Sequence, residues 1–279
     1  MSYQQIRPGG FQLLAPVIKN LIIINALVLL AQYTADVSGY HDRLFDYFAL
    51  HSVHSSLFMP HQMITHLFMH GDFGHFFYNM FALWLFGNKL ENFWGSKKFL
   101  VFYIVSGLGA ALIHLGWLSY ELYPIVSEVT AYTSSPSLDK FVSFFQKYGV
   151  PQAIGLDEVN EFANKWSNDI QNAAFVSDSL VFVKKTGDLI VSRPTVGASG
   201  AVFGCLAAFG YLFPNSYIYS NLIFPIKAKW LVLFYTAGEL WMVYTNSGGN
   251  VAHFAHLGGA LIGFLLVLYW NKTNRNTFY

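Results

Sequence analysis

A chain of 279 residues that is 54% hydrophobic and 11% charged, with a mean hydropathy of +0.39, has the composition of a membrane protein; soluble domains average about 25% charged residues and need them at their surface. The formal net charge of +1, without a basic stripe carrying interleaved aromatics, gives no sign of a nucleic-acid partner, and none is expected. The single cysteine, Cys205, excludes an internal disulfide and leaves the redox compartment unread.

Six apolar segments follow along the chain, at 20–34, 75–93, 99–118, 199–214, 230–244 and 251–270. Several reach or approach the roughly 20 residues that span a bilayer, and none carries the charged face of a surface helix. They predict an all-α membrane protein with six transmembrane helices. The first segment has features of a signal peptide, with Lys19 before Leu21-Ile-Ile-Ile and small residues at Ala31 and Ala35. An uncleaved span is the reading preferred here, because the motifs that follow need a helical bundle. With six spans, one side holds Arg7, Lys19, Lys89, Lys97, Lys98, Lys227, Lys229, Lys272 and Arg275 against one acid, Glu91. Short loops rich in Lys and Arg stay inside, so both termini are expected in the cytoplasm of a cell membrane, read as a bacterial inner membrane. Glu239 is left within the fifth span, either near the interface or as an interior polar contact.

Residues 119–194 differ from the rest and divide the chain into 1–118, 119–194 and 195–279. Phe141, Phe144 and Phe145 fall at helical spacing, as do Val159, Phe162, Ala163 and Trp166, among Asp139, Asp157, Glu158 and Glu161. A mostly helical insertion in the third, outer loop is expected, too short and too closely tethered for an independent domain. Its aromatic cluster either packs on itself or offers a surface to substrates.

Chemistry concentrates in three places. In Thr195-Val-Gly-Ala-Ser-Gly-Ala-Val-Phe-Gly204 a serine opens a short apolar run. About sixteen residues at ~1.5 Å rise give near 24 Å, less than a ~30 Å hydrocarbon core. Ser199 then sits at a helix N-terminus below the outer surface, where free N–H groups suit a developing oxyanion. The plain alternative is small-residue packing through Gly200-x-x-x-Gly204, and on this motif alone it is the stronger reading. The sixth segment carries His253 and His256 ahead of Gly259-x-x-x-Gly263. Imidazole is the base suited to activate a serine hydroxyl. No Asp or Glu lies nearby in the sequence, so a dyad is implied. The third place is 65–79, where His66 and His70, and again His75 and Asn79, are four apart and share a helix face. His75 and Asn79 can both donate to an oxyanion. A metal site from His70, His75 and a third ligand is the rival, without a His-Glu-x-x-His motif.

With these residues in view the chain resembles the rhomboid family of intramembrane serine proteases. The resemblance rests on Gly197-Ala-Ser-Gly200, on Ala255-His-Leu-Gly-Gly259 with Gly263, and on Thr65-His66, His70 and His75-x-x-x-Asn79. Phe86-Gly87, Leu90-Glu91, Gly95 and Phe99 add to it. It implies a six-helix core, Ser199 as nucleophile and His256 as base, the histidine immediately before the Leu-Gly-Gly step. It implies His75 and Asn79 as oxyanion donors alongside the Ser199 N–H. It implies membrane-protein substrates in a lipid bilayer, with no cofactor and no metal. The chain departs from bacterial members at His61-Gln62, where a Trp-Arg pair is usual, at Phe203, where Tyr is usual beside the imidazole, and in the length of 119–194. The rival from another class is an inactive rhomboid-like binder of membrane clients, expected to lack the serine or the histidine; this chain keeps both. A transporter with a histidine relay would need paired half-helix signals, which are not seen.

Overall fold

The computed structural model describes residues 12–220, 224–245 and 252–273. Arg7, Arg275 and Val251 of the sequence reading lie outside the described residues. The chain forms two compact units. One comprises residues 1–49, 61–114 and 195–279; the other comprises 50–60 and 115–194.

In the first unit, α1 (Pro16–Val37) begins with proline, whose missing N–H is not needed in a first turn. Glu91 supplies the acceptors that this helix end lacks. Its two carboxylate oxygens take the N–H groups of Val17 and Ile18, both at 2.9 Å, and Ser96 Oγ donates to it at 2.6 Å. A buried carboxylate is stabilised by those donors and by the positive end of the helix. The lone acid of the positively charged loops is thus a fold residue, set in α5 (Asn88–Trp94).

Between α1 and α5 come α2 (His41–Phe48), α3 (Gln62–Thr65), a 3-10 turn (His66–Phe68) and α4 (Phe73–Ala82). One turn of π-helix, Leu83–Gly87, joins α4 to α5, so 73–94 is a single helical run. Gly87 lies in that turn because a Cβ there would stand 2.8 Å from Ile18 of α1. Gly95, at φ 82°, then reverses the chain into α6 (Ser96–Ser134).

The centre of this unit is α10 (Ser199–Leu212), buried almost along its whole length. Its small residues let α12 (His253–Thr273) approach at backbone contact: a Cβ on Gly263 would stand 2.6 Å from the Gly204 Cα, and one on Gly259 would strike the Gly200 carbonyl. The two glycine pairs therefore meet as their spacing predicts. An antiparallel hairpin of β1 (Tyr217–Ser220) and β2 (Phe224–Lys227) leads into α11 (Ala228–Tyr244), with Tyr217 opposite Lys227. That short hairpin was not expected in an all-α chain.

Among the described residues three helices are long and apolar enough to cross a bilayer: α1, α6 and α12; α10 is a shorter apolar helix. Large apolar side chains face outward along them and along α11, among them Leu27, Leu30, Phe234, Trp241 and Leu261. Such continuous exposed apolar surface suits lipid rather than water.

The second unit contains the last part of α6 with α7 (Leu138–Tyr148), α8 (Leu156–Asn168) and α9 (Ala173–Val191). The third apolar segment ends at 118, yet α6 continues to Ser134, past Pro124. The end of an apolar run marks a change of surroundings, not the end of a helix. Phe141, Phe144, Phe145 and Trp166 are buried with Val159, Tyr132 and Val183 in a core of their own. Phe141 touches the rings of Phe145, Phe162, Trp166 and Phe182. The aromatic cluster packs on itself, so the proposed aromatic surface for substrates has no rings left to form it.

Candidate active site

The site is built on the first turn of α10. Before it, the Gly197 N–H donates to the His66 carbonyl at 2.9 Å, and Thr195 Oγ1 meets His114 Nε2 at 3.0 Å. Gly197 has φ 129°, which disfavours any residue with a side chain. The first bond inside the helix runs from the Val202 N–H to the Ala198 carbonyl. The N–H groups of Ser199 and Gly200 therefore have no acceptor in their own helix.

Ser199 Oγ lies 2.8 Å from His256 Nε2. The bases of α10 and α12 are held in register by the glycine contacts, so this pairing follows from the packing of two helices rather than from a loop. Phe203, one turn after the serine, stacks on the imidazole with ring centroids 4.3 Å apart and planes within 6°. On its other side the imidazole is bonded through Nδ1 to Glu239 Oε1 at 2.9 Å, and Glu239 Oε2 meets His253 Nδ1 at 2.6 Å. The Nδ1 protons donate to the carboxylate, which leaves His256 Nε2 as an acceptor for the serine hydroxyl.

His75 is fixed from both ends. Asp72 caps α4 by accepting the His75 N–H at 2.8 Å. The Gly71 N–H donates to His75 Nδ1 at 3.3 Å, so in the neutral ring Nε2 carries the proton. A Cβ placed on Gly197 would stand 2.9 Å from His75 Nε2 and 3.6 Å from Ser199 Oγ. The glycine thus keeps open a small space between a donor and a hydroxyl. Asn79, one turn along α4 and buried, donates one amide hydrogen to the His75 carbonyl at 2.9 Å and keeps a second.

Ser199 and His256 are thus brought together, and Gly197 brings His75 to the same space. His66 and His70 serve differently. His66 Nδ1 bonds the Gln62 carbonyl at 2.6 Å. The backbone N–H and C=O of His70 are clamped by the Gln32 amide of α1, at 3.0 and 2.6 Å. His61 and Gln62 hold α2 through the carbonyls of Tyr47 and Asp46, at 2.7 and 2.9 Å. Among the described residues the grouping with metal-ligand spacing is Glu239, His253 and His256, whose ligand atoms lie within 4.8 Å of one another. Its atoms suit a zinc ion by type, but both Nδ1 positions already engage the carboxylate directly. The expectation of an unassisted dyad needs correction, since Glu239 is bonded to the proposed base. Separation along the sequence hid it: Glu239 lies 14 and 17 residues before the two histidines, while α11 and α12 are neighbours in space. The signal was a lone acid inside an apolar helix, facing two histidines three apart.

The description "Rhomboid domain" fits residues 58–126 and 173–272 of the chain, leaving 127–172 between the two matched stretches. The chain is 26% identical over 212 residues to Rhomboid protein 1, mitochondrial, of Saccharomyces cerevisiae, covering 75% of this chain and 42% of that protein. It is 25% identical over 219 residues to RHOMBOID-like protein 12, mitochondrial, of Arabidopsis thaliana, covering 78% of this chain and 48% of that one. The match therefore spans less than half the length of either relative. Both relatives are named as mitochondrial, which overturns the expectation of a bacterial cell membrane with cytoplasmic termini. Loop charge sorts one face of a bilayer from the other and carries no label for which bilayer it is. Ser199, His256, His75 and Asn79 all fall within the matched stretches, which together cover more than half of the sequence, and the chain belongs to the rhomboid family.

Proposed function

We propose that the protein is an intramembrane serine endopeptidase that cleaves transmembrane segments of other membrane proteins, in a mitochondrial membrane. The observation that carries this reading is the 2.8 Å contact between Ser199 Oγ and His256 Nε2, in a rhomboid-family chain. Ser199 Oγ attacks the scissile carbonyl carbon as its proton passes to His256 Nε2. The carbonyl oxygen becomes an oxyanion. The Ser199 N–H, His75 Nε2–H and the free Asn79 amide hydrogen stabilise it. His256 then returns the proton to the leaving amine, and the peptide bond breaks. Water, deprotonated by the same nitrogen, hydrolyses the acyl-enzyme and restores the hydroxyl. The mitochondrial setting follows the names of the relatives.

A fluorophosphonate probe tests the nucleophile directly. The purified protein should be labelled at Ser199, and Ser199→Ala and His256→Ala should not be. A folded wild type that takes no label, while still capturing membrane clients, would favour the inactive binder.

A further inference from the structure

Glu239 is the single acid of α11, and its side chain is 12% exposed. An ionised carboxylate so enclosed persists only where donors compensate it. Here two imidazoles do so, one on each oxygen. We propose that Glu239 is a positioning residue for the Ser199–His256 pair, and that His253 sets the carboxylate by occupying its second oxygen. This rests on the reading of Ser199 as nucleophile.

Neutral imidazole has two tautomers, and only one serves here. With the proton on Nδ1, Nε2 presents its lone pair to the serine; with the proton on Nε2, that nitrogen can only donate to the serine oxygen and cannot take its proton. A carboxylate at Nδ1 selects the first form. Once the serine proton arrives, both ring nitrogens carry protons, and the carboxylate stabilises the positive ring without itself taking a proton. His253 makes the charge and the shape of Glu239 matter together. Two Nδ1–H donors require two acceptors on one side chain. Glutamate has them, whereas glutamine offers one acceptor and an amide donor that opposes one of the imidazoles. Among the described residues the buried His253 Nε2 has no partner, which suits a neutral ring with its proton on Nδ1. Phe203 stacks on the imidazole and limits its tilt, so ring rotation and proton position are held by different contacts. The competing idea is a simple clasp, in which the acid only ties α11 to α12.

Kinetics with a transmembrane substrate separate the two. Wild type, Ser199→Ala, Glu239→Gln, Glu239→Asp and His253→Ala would be compared in detergent for kcat, KM, fluorophosphonate labelling and thermal unfolding. Glu239→Gln should lower kcat about a hundredfold or more, with KM changed less than about threefold and unfolding little altered. Glu239→Asp keeps the charge and both acceptors and should recover about tenfold of that loss. His253→Ala should lose about three- to tenfold. A folded Glu239→Gln protein with kcat within about threefold of wild type would overturn the proposal. So would equal losses in Gln and Asp that track lowered unfolding temperatures, which is the clasp. Should Glu239→Gln fail to fold, nitrogen-15 histidine NMR of wild type decides. A low-field Nδ1 proton on His256 is expected, and its absence overturns the proposal. If Ser199→Ala cleaves as wild type does, or wild-type Ser199 takes no label, the protease reading fails instead, and the NMR signal still settles the Glu239 bond.

Discussion

Ser199 and His256 act as one unit in the proposed chemistry, so their losses should not add. Ser199→Ala and His256→Ala should each abolish cleavage, and the double variant should be no worse; additive losses in a turnover assay would argue against a shared proton. His75→Ala and Asn79→Ala should each reduce kcat by roughly ten- to a thousandfold, the range for one oxyanion donor. If either leaves kcat untouched, that side chain is outside the oxyanion site. Gly197 is a sharper probe of the same space. Its φ of 129° and the 2.9 Å from a notional Cβ to His75 Nε2 leave no room for a methyl group. Gly197→Ala should therefore suppress labelling of Ser199 even in protein that unfolds near the wild-type temperature.

The helices that hold these residues differ in how far the sequence announced them. The glycine spacing of α10 and α12 was readable because small residues at four-residue intervals have one structural use in apolar helices. Replacing Gly259 by valine should unfold the protein or separate the pair, since the Cβ would collide with the Gly200 carbonyl; a folded, reactive Gly259→Val protein would contradict the packing. Asp72 and Glu91 were less readable. Asp72 caps its own helix three residues on, whereas the role of Glu91 depends on a partner across the fold, α1, from 73 residues away. Glu239 was legible as an anomaly and not as a contact, because no pattern within α11 points to α12. The Phe141 cluster was placed on helices correctly by its spacing, while its burial had to await α9, which brings Phe182 against it. Phe141→Ala should destabilise the second unit by about 3–5 kcal/mol, the usual cost of a buried phenylalanine, and leave fluorophosphonate labelling of Ser199 unchanged. Loss of labelling in parallel with unfolding of 115–194 would show that this unit supports the site.

At the scale of the whole molecule, composition established a membrane protein and the motifs established a family, but neither identified the membrane. The histidines invited a metal reading that the packing redistributes. The His66 ring bonds the Gln62 carbonyl and His70 is held through its own backbone by Gln32, while the histidines that cluster with an acid among the described residues are His253 and His256. Chelators should accordingly leave turnover unchanged; activity lost to a chelator and restored by zinc would assign the Glu239 cluster to a metal. In the proposed chemistry a serine within an apolar helix cuts peptide bonds of membrane-spanning substrates. The most direct measurement is cleavage of a single-span substrate co-reconstituted with the purified protein in liposomes, with the cut mapped by mass spectrometry. Wild type should cleave within or beside the apolar segment, and Ser199→Ala should give no product. Equal product from both, or none from a wild type whose Ser199 accepts the fluorophosphonate, would contradict it.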